Sequence, residues 1–283
     1  MRLPKIFMRA VRSIEFRTKR FVRDLLQALF FARLSWRRRA LTDQREDDGI
    51  TIVTVTWNTL TELQTLVRAV GLFSESPVRL IVVDNASSGD ATTEFLSQHP
   101  EIEAIRLSRN WGHGLALDLG VQAARTRFVV TLDVDAFPIS NDWLASVIDP
   151  LSNGYSLAGA WSSGYIHPCF LAIERRRFLE GKHTFAASYS RRLLLRRPGD
   201  PKSWDAGKLI TLRDPGQHLG IDPSSIRGPG TLGTVFGEVL YHHFYSSRLT
   251  GRLTDDVVRS GVTPEISRAA WTEAVDKYLP VTS

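Results

Sequence analysis

Between residues 50 and 135 the chain alternates short β-branched runs with segments of helical spacing, and no other feature constrains the fold as tightly. Ile50-Thr51-Ile52-Val53-Thr54-Val55-Thr56 reads as a buried strand. Trp57-Asn58 follows, and Thr59 with Glu62 three residues on forms a capping box. The spacing then predicts a helix over about Leu60 to Val70, with Leu63, Leu66, Val67 and Val70 inward. Val78 to Val83 is a second strand, and the turn from Asp84 to Asp90 leads to a helix over Ala91–Gln98, with Asp90 placed to cap it. A strand over Ile102–Leu107 precedes Asn110-Trp111-Gly112-His113-Gly114, which opens a helix to about Ala124. Continuous apolar strands joined by helices mean a mostly parallel sheet covered on both faces.

The last strand of the series, Phe128-Val129-Val130-Thr131-Leu132, runs straight into Asp133-Val134-Asp135. Alternate side chains of an extended chain share a face, so the two carboxylates point the same way while Val134 turns inward. They repel one another unless a cation or donors stand between them, and Mg²⁺ or Mn²⁺ shared with nucleotide phosphates resolves the conflict. The alternative is a polar strand end in a turn. Open α/β sheets bind ligands at the carboxyl ends of their strands. Asp84 stands at such an end, where a carboxylate accepts hydrogen bonds from a base or ribose, or else caps the next helix. Asn110, Gly112 and Gly114 precede a helix N-terminus, which suits phosphate. Gly112-His113-Gly114 lacks the third glycine of a dinucleotide fingerprint and does not follow the first strand.

Charge separates the first forty residues from the rest. They hold twelve lysines and arginines against Glu15 and Asp24, a net +10 that leaves −4 for the remainder of a chain whose formal charge is +6. Phe7, Val11, Ile14, Phe21, Leu25, Leu29 and Phe30 recur among these cations at roughly helical spacing, the pattern of a basic amphipathic helix. The apolar run Ala28–Ala32 is far too short to span a bilayer, and no secretory cleavage pattern follows it. The expectation is a helix lying on an anionic membrane surface; a helix packed on the body and a disordered arm are the other readings. No nucleic-acid module accompanies the basic block, so nucleic acid is not expected as a partner. A single cysteine, Cys169, excludes an intramolecular disulfide and a cysteine-based zinc site, and fits a reducing compartment.

Four segments in order carry a resemblance. Thr54-Val55-Thr56-Trp57-Asn58, Val82-Val83-Asp84-Asn85-Ala86-Ser87-Ser88, Asn110-Trp111-Gly112 with Gly120, and Leu132-Asp133-Val134-Asp135 together resemble the nucleotide-binding half of glycosyltransferase family 2, including its rhamnosyltransferase-like glycan-assembly enzymes. The resemblance implies an α/β GT-A fold: a single mostly parallel central sheet flanked by helices, here with an N-terminal basic amphipathic helix. It covers Thr51 to Trp143 closely and the chain to about Arg248 more loosely. By residue, it implies nucleotide-sugar binding at Thr56, Asn58, Asp84, Asn110, Gly112 and Asp133, with Asp84 reading the base, and a divalent metal on Asp135. Asp118 stands where relatives commonly carry Asn, so it either faces away or adds an anion near the phosphates.

Beyond Trp143 the pattern is less regular. Ser156–Trp161 and Cys169–Ile173 look like strands, and a helix starts near Glu174. Gly164 to Leu171 resembles the stretch lining the acceptor side of the donor sugar, with His167 there or in a partly buried turn. Trp204-Asp205-Ala206-Gly207 resembles the turn that opens a short helix, Lys208–Arg213, and carries the family's general base; Asp205 is that candidate, with a helix cap as the alternative. Tyr241 to Arg248 resembles the histidine segment that completes the metal or diphosphate site. Neighbouring residues of a strand face opposite ways, so one of His242 and His243 serves, with His242 preferred; Arg248, placed on the acceptor side, either neutralises the diphosphate or is a solvated arginine. Thr263-Pro264-Glu265 starts a last helix with an apolar stripe of Ile266, Ala270, Ala274 and Tyr278.

The expected organisation is a membrane-surface segment over 1–47, a GT-A domain over 48–250, divided into a nucleotide-sugar half (48–143) and an acceptor half (144–250), and a helical tail over 251–283. The expected function is metal-dependent, inverting transfer from a nucleoside-diphosphate sugar to a glycan or lipid-linked acceptor, with Mn²⁺ or Mg²⁺, in the cytoplasm and peripheral on the inner face of the cell membrane. A nucleotidyltransferase and a sugar-nucleotide-binding or scaffold protein without catalysis are the alternatives. The former lacks its Gly-rich loop after the first strand, where Trp57-Asn58-Thr59 stands instead.

Overall fold

A computed structural model of the chain describes residues 5–186, 205–225, 231–244 and 262–279. A long helix, α1 (Lys5–Thr42), leads into β1 (Asp47–Thr56), α2 (Leu60–Phe73), β2 (Arg79–Asp84), α3 (Ala91–Ser97), β3 (Ile102–Arg106), α4 (His113–Ala123) and β4 (Thr126–Asp133). There follow β5 (Ala136–Pro138), α5 (Ala145–Ser152), β6 (Leu157–Ser162), β7 (Tyr165–Glu174) and α6 (Arg175–Glu180). Last come α7 (Lys208–Arg213), β8 (His218–Ile221), β9 (Gly233–Phe236), β10 (Leu240–His243) and α8 (Pro264–Tyr278). Arg248 and Trp204 lie outside the described residues.

Seven strands form the main sheet in the order β3-β2-β1-β4-β7-β6-β8. β1 pairs in parallel with β2 and β4, and β2 with β3, so their carboxyl ends reach one edge. Thr56 stands opposite Asp84, and Val55 opposite Asp133. β7 then runs antiparallel to β4 and β6, and β8 rejoins β6 in parallel. Beside this sheet, β5, β10 and β9 make a small antiparallel one that the sequence pattern does not announce. This is the mostly parallel α/β architecture of a GT-A fold.

Both faces of the sheet are covered, as continuous apolar strands require. Ile52, Val82 and Val130 pack with Leu63 and Leu66 of α2 and with Trp143 and Val147, while Val53, Ile81, Val83 and Val129 pack with Ala116, Leu117 and Val121 of α4. A Cβ on Gly120 would collide with Val53, so this position lets α4 approach β1 closely. In the second half, buried Asp214 acts as a polar hub. It accepts from Ser156 Oγ and Arg177 Nε, each at 2.6 Å, and from Gly216 N at 2.9 Å. These donors overcome the effect of burial and hold its carboxyl well below the usual range.

Three local expectations are corrected. Thr59 makes no capping hydrogen bond, because its hydroxyl is 3.0 Å from that of Thr56 and closes the strand-to-helix turn instead. Asp90 does not cap α3 through its side chain, its own backbone being already in helical conformation. In α8, Thr263 does cap, accepting from Ile266 N, but the buried stripe is Ser267, Trp271 and Ala274, and Ile266 is exposed. Trp271 is the largest side chain of that helix, and seating it against Phe137 turns the helix from the stripe read in sequence.

Candidate active site

The strand ends meet in a cavity of about 440 Å³ lined by Trp57, Asn85, Asn110, Gly112, His113, Asp133, Asp135, His167, Asp205 and His242, among others. The two acids leave the sheet together at the end of β4. The backbone N–H of His243 donates to the Asp135 carbonyl at 2.8 Å, which fixes β10 beside them. Tyr241 and His243 share one face of β10 and His242 takes the other. His243 Nδ1 is 2.9 Å from Tyr241 Oη and its Nε2 is 2.9 Å from Ser267 Oγ, so it belongs to the contact with α8. His242 Nε2 lies 3.7 Å from both Asp133 Oδ2 and Asp135 Oδ1.

Asp133, Asp135 and His242 each offer one ligand atom, and the three atoms lie within 4.8 Å of one another. Asp133 Oδ1 is buried and accepts no hydrogen bond. Oxygen and imidazole donors around an unsatisfied buried carboxylate suit a hard or borderline divalent cation, so these residues fit Mn²⁺ or Mg²⁺. Three histidines crowd the same carboxylate. His113 Nε2 stands 3.0 Å from Asp133 Oδ1, without the alignment of a hydrogen bond, and His167 Nδ1 is 3.9 Å from Oδ2. Burial alone raises a carboxyl, but His113, and beyond it His167 and His242, hold Asp133 far below its ordinary value.

Elsewhere on the cavity wall, Asp205 opens α7 through Gly207, which takes a left-handed φ of 79°. Its Oδ1 accepts from Ala206 N and its Oδ2 from Tyr165 Oη, both at 2.9 Å. His167 spans the cavity between the acids: Nδ1 faces Asp133, and Nε2 is 3.9 Å from Asp205 Oδ2.

The nucleotide-side residues divide. Asn110 and Gly112 line the cavity, and Asn110 Oδ1 accepts from Gly112 N at 2.8 Å and from Asn85 Nδ2 at 3.1 Å. Thr56, Asn58 and Asp84 instead build the floor around it. Asp84 is buried and accepts from Ser87 N at 2.8 Å, and Asn58 Oδ1 accepts from Ser88 N at 2.6 Å. Asp118 faces away from the cavity, accepting from Thr184 Oγ1 and from Phe185 N. Among the lining residues, His113, Asn85 and Trp57 are polar or aromatic side chains to which the sequence assigned no role. The signal for the first was Gly112, whose φ of 89° starts α4 with His113 as its first residue, at the mouth of the helix.

The family model described as "Glycosyl transferase family 2" matches residues 51–202, more than half of the chain and the segment that carries these strand ends. The chain belongs to glycosyltransferase family 2. Solved structures similar to this glycosyltransferase include TarS 1-349 of S. aureus, alone and in complex with UDP (13% identity, TM-score 0.41, covering 48% of this chain and 50% of that one). Another is the mannosyltransferase PcManGT from Pyrobaculum calidifontis in complex with GDP-Man and Mn2+ (17% identity, TM-score 0.46, covering 73% of this chain and 64% of that one). The glycosyltransferase thus spans about half of the TarS chain it matches. No curated protein sequence matches it significantly.

Proposed function

We propose that this glycosyltransferase moves a sugar from a nucleoside-diphosphate sugar to a hydroxyl of a glycan or lipid-linked acceptor, with inversion and with a divalent cation. One observation carries the reading: the imidazole of His167 has the Asp133 carboxylate 3.9 Å from one nitrogen and the Asp205 carboxylate 3.9 Å from the other. The cavity therefore has a cation-binding wall and, across one ring, a carboxylate with no place in that cluster. Asp133, Asp135 and His242 would hold Mn²⁺ or Mg²⁺, which when bound stabilises negative charge on the departing diphosphate. Asn110, Gly112 and the first N–H groups of α4 face the phosphates, while Asp84, its Oδ2 3.6 Å from Arg106 Nε, holds the strand end behind the nucleotide. Asp205 takes the proton of the acceptor hydroxyl as its oxygen bonds to the anomeric carbon. The bond from that carbon to the phosphate oxygen breaks on the opposite side, and the nucleoside diphosphate leaves with the electron pair. A single displacement of this kind inverts the centre.

Further parts of the proposal are that residues 1–47 bind an anionic membrane surface and that the enzyme works at the cytoplasmic face of the cell membrane. The cationic excess of the first forty residues supports them. The test of the transfer reading is thermal shift with UDP-, dTDP- and GDP-sugars, with and without Mn²⁺ or Mg²⁺. A donor at a hundredfold excess over its dissociation constant stabilises the protein by about 2.7 kcal/mol. Metal-dependent stabilisation by one nucleotide class, lost in Asp135→Ala, is the expected result. Stabilisation that ignores both metal and Asp135 sinks the metal assignment.

A further inference from the structure

From Phe21 onward the described side chains of helix α1 divide into a face packed on the body and an exposed one. On the inner face, Gln27 Nε2 donates to the Trp111 carbonyl at 2.9 Å, and Phe30 stacks on the Trp111 ring at 4.6 Å between centroids. Leu34 is buried with Leu115, Leu119 and Ala186, and the Arg38 guanidinium lies over Phe178. On the outer face stand Phe21 (67% exposed), Leu25, Leu29 (59%), Ala32 and Trp36 (77%). At about 100° per residue these five fall within roughly 80° of arc, centred about 180° from Gln27, Leu34 and Arg38. Large apolar side chains aligned in one exposed ridge mark a surface made to be covered.

The charge of the helix selects what covers it. α1 carries eleven lysines and arginines against two acids, grouped on either side of the uncharged stretch Leu25–Ala32, so a second copy packed ridge to ridge would bring like charges together at both ends of the ridge. An anionic lipid surface accepts both the ridge and the cations. Among the described residues no helix is long and apolar enough to cross a membrane, which leaves α1 to lie in the interface plane.

We infer that the outer ridge of α1, from Phe21 to Trp36, inserts into the interface of an anionic bilayer while its inner face carries the catalytic body. This deepens, and rests on, the membrane part of the proposed function. It also sets an orientation. Trp111, the residue that α1 grips, directly follows Asn110, and Asn110 lines both the donor cavity and a second cavity of about 310 Å³ walled by Val22, Leu26 and Trp111. Seating the ridge in lipid therefore holds the mouth of the active site near the membrane plane, where an acceptor carried on a lipid presents its hydroxyl.

The experiment is sedimentation of the full chain with phosphatidylcholine vesicles, with and without phosphatidylglycerol. It compares wild type with Leu25→Ser/Leu29→Ser/Trp36→Ser, whose substituted side chains are exposed, and uses thermal melts to verify folding. The ridge variant is expected to bind anionic vesicles roughly a hundredfold more weakly, with unchanged Tm. Brominated lipids are expected to quench wild-type emission more than that of Trp36→Phe. Equal binding by wild type and ridge variant overturns the ridge while leaving membrane association by charge intact. Wild type that ignores anionic vesicles overturns both. A lipid-free dimer that the ridge variant abolishes in sedimentation equilibrium assigns the ridge to a second copy and overturns the inference as well.

Discussion

The backbone N–H of Cys169 donates to His167 Nδ1 at 3.1 Å. An imidazole nitrogen that accepts is unprotonated, so in the neutral ring the proton sits on Nε2, the nitrogen that faces Asp205. Burial pushes the ring below its ordinary value against the pull of Asp133, which favours this neutral form. His167 thus offers Asp205 a donor and does not compete with it as a base.

Asp205→Asn is therefore expected to lower sugar transfer by about 10²- to 10⁴-fold while leaving metal-dependent stabilisation by donor unchanged. Tyr165→Phe removes one hydrogen bond to the same carboxylate, so its cost is about tenfold or less. Transfer assays paired with thermal shift check both, and Asp205→Asn with full turnover would remove Asp205 as the base.

The last helix supports the site through Ser267 and, with more contact area, Trp271. Trp271 packs edge-on against Phe137 at 5.4 Å and His243 at 5.5 Å, the first on β5 and the second on β10, the strand that carries His242. Trp271→Ala is expected to cost about 3–5 kcal/mol in urea unfolding. Metal affinity, followed by Mn²⁺ titration of the folded variant, is expected to fall with it. Metal affinity equal to wild type would mean that β10 holds its place without α8.

Asp118 makes stability fall as pH rises. Burial lifts its carboxyl from 3.8 to about 6, against the opposing effects of Arg38, Thr184 and Phe185 N. Between those values the folded chain binds more protons than the unfolded one, so this group's contribution is present at low pH and lost as pH passes 6. The loss is on the order of 3 kcal/mol. Asp118→Asn keeps an acceptor for Phe185 N and carries no charge. Relative to wild type it is expected to gain stability from pH 4 to pH 8 in denaturant titrations. A gap between the two proteins that does not change with pH contradicts this assignment.

The loop at Asn110 gives a fourth prediction. Its side-chain oxygen accepts from Gly112 N and Asn85 Nδ2, while Asn85 Oδ1 accepts from Trp111 N at 2.9 Å. Asn110→Ala leaves both donors without that acceptor. It is expected to weaken donor binding about tenfold or more, read by the same thermal shift, with global stability down by about 1 kcal/mol.

What the sequence made legible follows from periodicity. β1, β2, β4 and their helices announce themselves because each is long enough to repeat its spacing; the pairing of Asp133 with Asp135 follows from alternation at a strand end, whereas His242 was joined to them only by the family resemblance. The small sheet did not, since β5, β9 and β10 are three or four residues each and β5 is more than a hundred positions from its partner β10. Asp118 resisted for another reason. α4 is buried on almost every side, between the sheet and the segment at Thr184–Ala186, so it has no polar face from which to infer where a lone acid points. Asn58 and Asp84 lie at the expected strand ends, yet both side chains bond the turn at Ser87 and Ser88: Asp84 closes it locally on Ser87 N, three residues on, while Asn58 reaches Ser88 N across 30 residues, a contact no local pattern sets.

β4 belongs to both halves of the enzyme: one edge pairs in parallel with β1, the other antiparallel with β7. The nucleotide half is therefore not a module that can be lifted out. Cut after Trp143, it would present Phe128 to Leu132 as a bare apolar strand edge, a template for its own copies to pair on. Asp133 and Asp135 stand at the end of that shared strand, and any change that tilts it is felt on both sides of the cavity at once. A donor specificity cannot be grafted here by swapping the first half alone; the partner strand must travel with it.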